Sequence, residues 1–583
     1  MGHGQVTQKA SLRVRTHRFW RAEAGTLTVF ALMLFMLMVM MGGIAVDVMR
    51  YEARRTSLQN TLDRSTLAAA ALDQTLNPRA VVDDYFLKAG LQQYLTSVTV
   101  TQGMNYREVA ATALADTEPM FLHLLGIQQF NAPGRSAAEQ RVNNVEVMMV
   151  LDVSGSMNQN SKLANLQSAA NQFVATVLGN DPEHKISIGM VPFNGQINLG
   201  ATLLAQYKAV DPHGAANVNC VDLPAAAYAD TRMSAYGYAT SSTPADLPMT
   251  ANADTYSGTS GSTSYIAYTD TYNAVPNTLN QWCPARPGNI VRLPQQSIPT
   301  LQGYINGLTA VGATSINAGM KWGLAFLDPA TRPTYTSLLG GLIPTTLAGR
   351  PFEYDDGNAM KVIVLMTDGE NFPEERVNPY YKGAISPIYR GTSDNNYSIF
   401  HASKVDNTSA ATIAASKPYY VPHLGVWQVR PWNGTAPLGT DTYIPAAAIT
   451  GATMQTWPQI WTNMRLSYVA WQFYARPLGG SNSTLRSQTY TDTMNLFRTK
   501  TDVASGNTPI MDAQMQAICT MAKTNNVIIY GIAFEAPTNG QAQIRACSTD
   551  GDNGSHYFNA SGLQIATAFS AIANNISQLR LTQ

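Results

Sequence analysis

Oxygen-bearing side chains cluster at the end of a strongly apolar segment in the first third of the chain. Residues 145–157 read VEVMMVLDVSGSM, so that Asp152, Ser154 and Ser156 form a D-x-S-x-S pattern directly after the apolar run. Hard cations such as Mg²⁺ prefer oxygen ligands, and a carboxylate with two hydroxyls on a tight turn can face one ion. The pattern therefore predicts a candidate cation site. Because Asp and Ser are also common in turns, a simple helix N-cap is the alternative.

Two further segments also carry oxygen-bearing side chains. One follows a second apolar run, and the other lies in a glycine-rich turn before a helix. Residues 361–370 read KVIVLMTDGE, which places Asp368 at the end of a second apolar run. Residues 310–327 read AVGATSINAGMKWGLAFL, in which Thr314 precedes a helical pattern. Continuous apolar runs of this length are typical of buried parallel strands. Ligands of open α/β sheets bind at the carboxyl ends of such strands, so these loops are expected to meet.

Taken in this order, the three loops resemble those of a von Willebrand factor type A domain with a metal-ion-dependent adhesion site. The resemblance implies that Asp152, Ser154, Ser156, Thr314 and Asp368 organise Mg²⁺ or another divalent cation. It also implies that the metal keeps an open position, which an acidic group of a protein partner can fill.

The elements around these loops predict an α/β fold. Strand patterns at 185–193, 526–534 and 556–560 alternate with helical patterns at 162–178, 297–308, 511–525 and 563–579. Such alternation favours a doubly wound, mostly parallel sheet over residues 145–583. Two inserts, 205–295 and 371–510, interrupt it and are far longer than usual connections. We expect each to carry its own structure. The second insert follows Asp368 directly and is either a partner-binding face or lid, or a structural subdomain.

The N-terminal region predicts a membrane anchor. Residues 26–48 form a strongly apolar stretch whose only charge is Asp47 at the far edge, and about 20 apolar residues span a bilayer core. We therefore expect a cytoplasmic stub at 1–23, a transmembrane anchor at 24–48, and a stalk helix with a small α+β module at 49–144. A buried core helix is the alternative for the apolar stretch. The flanking arginines favour a cytoplasmic N-terminus by one charge only.

The cysteines and the composition point outside the cytoplasm. Cys220, Cys283, Cys519 and Cys547 lack metal-ligand spacing, and their even number suggests two disulfides, which persist in oxidising compartments. The simplest pairing joins Cys220 to Cys283 and Cys519 to Cys547. Four cysteines allow three pairings, and four reduced thiols are the alternative. The 38 basic and 38 acidic residues give no net charge, which argues against a nucleic-acid binder.

The residues around the anchor resemble a second family. The matching residues are Ala45-Val-Asp47, Arg50, Leu58-Gln-Asn60 and Asp63, followed by LAAA from Leu67. This segment is similar to TadE/TadG-like proteins of Flp (Tad) pilus assembly. TadG-like members join such an anchor to a type A domain. The resemblance implies a single-pass inner-membrane protein with a periplasmic body, whose partners are other pilus or secretion components.

The sequence patterns bear on three classes of function. A pilus-assembly or surface-adherence factor would bind a partner through the metal, without chemistry. A cell-surface adhesin or envelope scaffold unrelated to pili fits the anchor and the domain equally well. An enzyme is not expected, because the sequence has no H-E-x-x-H, G-x-S-x-G or P-loop motif and its eight histidines are scattered.

Overall fold

The computed structural model describes residues 24–71, 74–102, 106–141, 144–179, 181–255, 275–502, 507–551 and 555–577. The expected cytoplasmic stub, 1–23, lies outside them. The chain divides into two compact units, residues 1–141 and 142–583. Both units mix helices and sheets, so the coarse prediction of a mixed α/β protein with a long apolar N-terminal helix is confirmed.

The first unit is built on helix α1, which runs from Ala24 to Ala70 without a proline. Its N-terminal half is long and apolar enough to cross a membrane, by length and composition, and 6% of its most apolar stretch is buried. Helix α2 (Pro78–Lys88) begins where the Asn77 side chain accepts the N–H groups of Arg79 and Ala80. An Asn cap followed by proline in the first turn is a common way to start a helix.

A three-stranded antiparallel sheet completes this unit. Its strands follow one another in space and in sequence: β1 (Leu95–Gln102), β2 (Tyr106–Thr117) and β3 (Phe130–Arg141). A 3₁₀ turn at Leu122–Leu125 lies between β2 and β3. Leu58 and Leu62 of α1 are fully buried with Val82 and Phe86 of α2 and Val109 of β2. The C-terminal half of α1 is thus held by packing, whereas its N-terminal half is exposed.

The second unit starts with alternating strands and helices. Up to the second insert these are β4 (Asn144–Asp152), α3 (Lys162–Gly179), β5 (Ile186–Phe193), α4 (Gly200–Leu204), β6 (Ala209–Val210), β7 (Leu247–Pro248), β8 (Arg292–Gln295), α5 (Ile298–Asn306), α6 (Ile316–Ala325), α7 (Arg332–Ser337) and β9 (Ala359–Thr367). After that insert come α14 (Pro509–Thr524), β17 (Ile528–Phe534), α15 (Thr538–Cys547), β18 (Tyr557–Ala560) and α16 (Gln564–Ser577).

Within the described residues, six of these strands form one sheet in the order β18-β17-β9-β4-β5-β8. The first five run parallel, with Met149 of β4 opposite Val364 of β9. Because β4 and β9 are parallel neighbours, their carboxyl ends lie at the same edge of the sheet. Helix α3 packs against α5 and α16, and α6 packs against α14.

One strand corrects the predicted border of the first insert. β8 pairs antiparallel with β5, so residues 292–295 belong to the main sheet although they were predicted to end the insert at 295. Its four residues include Pro294 and are too short for a periodic signal. The structure also joins Cys220 to Cys283 inside this insert, and Cys519 of α14 to Cys547 at the end of α15.

The second insert has its own sheet and core. Its elements are β10 (Glu375–Val377), α8 (Tyr380–Gly383), β11 (Ile385–Gly391), β12 (Tyr397–Phe400), α9 (Ala410–Ala415), β13 (Tyr419–Val421), β14 (Val426–Gln428), β15 (Ala452–Thr456), α10 (Trp457–Asn463), α11 (Leu466–Val469), a π-helical segment (Ala470–Ala475), α12 (Arg476–Gly479), α13 (Ser483–Phe497) and β16 (Arg498–Lys500). Strands β11 to β15 form an antiparallel sheet, and Trp457, Trp461 and Phe497 are buried in an aromatic core. β10 pairs with β16, so this insert leaves and rejoins the domain at one place.

Candidate metal and partner-binding site

The predicted site residues meet at the carboxyl ends of β4 and β9. The Asp152 carboxylate, which is fully buried, accepts the N–H of Ser154 at 2.7 Å and the Thr367 hydroxyl at 2.5 Å. Ser156 donates its hydroxyl to Asp368 at 2.7 Å, and the hydroxyls of Ser154 and Ser156 are 3.0 Å apart. Since the Ser156 proton points to Asp368, Ser154 is the donor in the serine pair. These contacts link two loops that are more than 200 residues apart in sequence.

Thr314 joins the same edge through the loop that precedes α6. Its carbonyl accepts the N–H of Phe372 at 2.8 Å, and its side chain lines the cleft above the serines. Gly312 holds this loop against the first one, because its carbonyl accepts the N–H of Gly155 at 2.9 Å. Gly312 has a φ of +84°, a conformation that glycine adopts without strain. The five predicted residues therefore lie at one strand edge, four of them in one hydrogen-bonded set.

The electrostatics of this set are unfavourable for two ionised carboxylates. Burial, together with the charge of Asp368, raises the pKa of Asp152 to about 7 from its ordinary value of 3.8. Burial disfavours the charged form of a carboxyl, and a neighbouring like charge does the same. A divalent cation would reverse both effects. The donor set is made of carboxylate and hydroxyl oxygens only, so it fits a hard cation such as Mg²⁺.

The sequence did not reveal one charged residue of this site. Lys162, at the start of α3, is 6% exposed and donates to Asp368 at 2.9 Å, with Glu535 at 3.8 Å. The ammonium neutralises part of the acidic charge in the absence of metal. A lysine in the first turn of a helix opposes the helix dipole, and this was the one sequence signal for a buried partner.

A cleft of about 670 Å³ opens over Ser154, Ser156, Thr314 and Asp368. Both inserts contribute to its walls, which combine apolar and charged residues: Leu279, Trp282, Phe372, Pro373, Glu375, Lys500 and Pro537. The Trp282 indole donates to Thr255 at 2.9 Å, and its ring centre is 6.2 Å from that of Phe372. Trp282 directly precedes Cys283, so the Cys220–Cys283 bridge fixes this wall to the rest of the insert.

Comparison with known proteins links one segment to a family. Residues 25–72 match the Tad family model, described as "Putative Flp pilus-assembly TadE/G-like". The matched segment covers α1 and the residues just after it. No curated protein matches the chain.

Among solved structures, the chain is similar to the vWF domain of the type V pili tip protein Mfa5 from Porphyromonas gingivalis, with 14% identity, a TM-score of 0.29 and coverage of 75% of this chain and 95% of that chain. The PilB minor pilin from Streptococcus sanguinis is 11% identical, with a TM-score of 0.26 and coverage of 83% of this chain and 78% of that chain. The pilus adhesin RrgA from Streptococcus pneumoniae is 10% identical, with a TM-score of 0.27 and coverage of 82% of this chain and 48% of that chain. TM-scores this low do not establish a shared fold.

Proposed function

We propose that this protein is a membrane-anchored component of Flp/Tad pilus assembly and surface adherence, which binds a protein partner through a Mg²⁺-dependent site. The observation that carries the proposal is the hydrogen-bonded set of Asp152, Ser154, Ser156 and Asp368 at the floor of a cleft. The Tad match at residues 25–72 supports the pilus context. Parallel strand order and the strand-end site together favour a doubly wound, von Willebrand factor type A body for residues 145–583.

In this proposal the five predicted residues hold the metal, and the metal supplies a Lewis-acidic position to which a carboxylate of the partner binds. Asp152 carries the charge that attracts the cation. Its own hydrogen-bond donors are Ser154 and Thr367, both neutral, whereas Asp368 is paired with Lys162. Ser156 orients Asp368 by donating to it. Lys162 balances the remaining acidic charge.

The cleft walls indicate what surrounds the partner's acidic group. Phe372 is 40% exposed, and it forms an apolar wall together with Trp282. Lys500, which pairs with Glu375 at 2.8 Å, stands on another side. An acidic residue flanked by an apolar one therefore matches this surface best. Aromatic side chains that become buried when the partner binds commonly dominate the energy of protein interfaces.

We propose binding without catalysis. In the described part of the chain, the hydroxyls of Ser154 and Ser156 bond to each other and to Asp368, and neither bonds to a histidine. An activated serine nucleophile needs a base within hydrogen-bond reach. We place the apolar half of α1 across the inner membrane and the C-terminal body in the periplasm, where the two disulfides would persist.

A photo-crosslinking residue at Phe372 tests this function in isolated membranes. We expect it to capture a pilus or secretion component in Mg²⁺, with at least a tenfold lower yield in chelator and in an Asp152→Ala background. The same crosslinker at Leu438, which is 72% exposed on the second insert, should respond to neither change. A yield at Phe372 that does not depend on Mg²⁺ would refute the metal-bridged contact. Capture of an unrelated envelope protein would instead support the scaffold alternative.

A further inference from the structure

The turn between β2 and β3 exposes an unusual number of large apolar side chains. Met120, Leu124, Leu125 and Ile127 are 66%, 76%, 51% and 40% exposed, respectively. Soluble proteins rarely expose contiguous apolar patches unless the patch meets a membrane or a partner. The turn formed by residues 118–127 is called the apolar turn below.

The apolar turn is firmly held on helix α1. The Asp47 carboxylate accepts the backbone N–H groups of Met120, Phe121 and Leu122 at 2.8, 2.7 and 2.9 Å, and it is 2% exposed. One helical turn earlier, the Phe121 ring covers Gly43 so closely that a Cβ there would lie 2.3 Å from Cγ of the ring. The backbone of residues 120–122 and the Phe121 ring therefore have a fixed position along α1.

That position can be converted into a depth. Twenty residues separate Leu27 from Asp47, which is about 30 Å of helix, the thickness of a bilayer hydrocarbon core. Residues 25–39 are exposed on every face of α1, as expected for a lipid-facing segment. Gly43 lies about 6 Å on the membrane side of Asp47. Since the Phe121 ring covers Gly43, this ring of the apolar turn lies on the membrane side of the core edge that Asp47 marks.

We propose that the apolar turn is a membrane wedge, which inserts Met120, Leu124, Leu125 and Ile127 among the lipid acyl chains of the leaflet on the C-terminal side of the anchor. This inference rests on the membrane anchoring in the proposed function. Lipid is the occupant because the turn is anchored on α1 at Gly43 and Asp47, inside the apolar segment that would cross the membrane. Arginines 50, 54 and 55 follow within three helical turns, where long basic side chains reach headgroup phosphates.

The wedge also explains the one carboxylate in the apolar stretch. A charged group at the edge of a bilayer is costly unless it is hydrogen-bonded within the protein. Asp47 meets this condition through three N–H groups that the turn itself would otherwise leave without partners. Asp47 is accordingly a positioning residue: it seats the turn, and the turn shields it from lipid.

Depth-dependent quenching of the full chain tests the wedge. An environment-sensitive dye is attached at Leu124→Cys, and the chain is placed in phosphatidylcholine–phosphatidylglycerol vesicles. The four native cysteines are bridged and do not react without reductant. We expect acyl-chain nitroxide lipids to quench the dye strongly, and aqueous iodide to quench it at least fivefold less than a dye at Leu438→Cys. Equal iodide quenching at the two sites overturns the wedge, and so does a dye at 124 shielded from both quenchers, which would indicate a protein contact.

The role of Asp47 is read in the same vesicles. Asp47→Ala should move the dye at position 124 toward water and at least double its iodide quenching. Asp63→Ala is the matched control, since Asp63 lies on α1 and accepts a side-chain bond from Gln59 at 2.9 Å. Unchanged quenching in Asp47→Ala contradicts the seating role. Flotation separates the two proposals. A chain that does not float with vesicles overturns the anchor itself, whereas a chain that floats but whose dye at position 124 is fully quenched by iodide overturns the wedge alone.

Discussion

Replacing Asp152 by asparagine is expected to stabilise the metal-free protein while removing its capacity for Mg²⁺. The folded metal-free protein disfavours the ionised carboxylate, because burial and Asp368 raise the pKa of Asp152 to about 7. Asparagine has nearly the same shape and no charge. A residue that strengthens the fold when it is removed is better explained by ligand binding than by packing.

The size of the effect follows from the pKa. A rise from 3.8 to about 7 corresponds to about 4 kcal/mol of unfavourable free energy for the ionised form. Asparagine can still accept the N–H of Ser154, but it must donate to the Thr367 hydroxyl, which already accepts the N–H of Gly369 at 3.1 Å. This reversed bond reduces the gain by roughly 1 kcal/mol. We expect Asp152→Asn to raise the free energy of unfolding by about 3 kcal/mol at pH 8 in chelator.

The effect has a defined pH dependence. Between pH 3.8 and about 7 the folded state keeps a proton that the unfolded state has lost, so the contribution of Asp152 to stability falls as pH rises through this window. Above about pH 7 the contribution is constant. The gain in unfolding free energy of Asp152→Asn over wild type should therefore be near zero or slightly negative at pH 4, and it should reach its full value above pH 7.

Urea denaturation of the full chain in detergent and chelator measures this difference. Apart from Trp20, the tryptophans lie between residues 282 and 471, so their fluorescence reports on the second unit. Asp181→Asn is the control. Asp181 is also buried, but it accepts the N–H groups of Lys185 and Ile186 at 3.0 and 2.6 Å, so asparagine should destabilise the protein at every pH. Two results would refute this explanation: an Asp152→Asn variant that is less stable than wild type at pH 8, or a difference in unfolding free energy that is the same at every pH.

Three further outcomes are expected. Replacing Cys519 and Cys547 by alanine opens a bridge with a sequence separation of 28 and should lower the free energy of unfolding by about 3 to 4 kcal/mol; a loss below about 1 kcal/mol in urea would contradict this. Burial lowers the pKa of His401 to about 4 from 6.5, so its contribution to stability is complete above pH 6.5 and is lost as pH falls toward 4. The loss amounts to about 3 kcal/mol and should be absent in His401→Gln, whose amide can still donate to a carbonyl. Lys361→Met leaves the buried Glu146 without its 2.5 Å partner and should cost about 3 kcal/mol, most of which Lys361→Met combined with Glu146→Gln restores; equal losses in both variants would argue against an ion-pair effect.

The main sheet was predictable because burial on both faces makes its strands continuously apolar. The strands at 145–152 and 361–367 are recognisable in this way, and oxygen-bearing side chains lie at or just after the end of each: Asp152 and Asp368. The loops could be expected to meet because parallel strands end at one edge. The similarity of the segment around Asp47 to TadE/TadG-like proteins could likewise be recognised, since its matching residues are contiguous in sequence.

Features that depend on distant partners were not predictable. β3 contains Pro133 and Gly134 and has little strand propensity, and it forms because it pairs along its whole length with β2 as an edge strand. The pairing of Lys162 with Asp368 joins residues 206 apart. The sheet of the second insert consists of strands of three to seven residues, too short for an alternating pattern to stand out.

Calorimetric titration of Mg²⁺ into the full chain tests the central claim most directly. We expect uptake of one Mg²⁺ per wild-type chain and none by Asp152→Ala. Asp181→Ala should retain wild-type uptake, because the Asp181 carboxylate lies outside the site. Equal uptake by wild type and Asp152→Ala, or no uptake by wild type at millimolar Mg²⁺, would contradict a metal site formed by Asp152, Ser154, Ser156, Thr314 and Asp368.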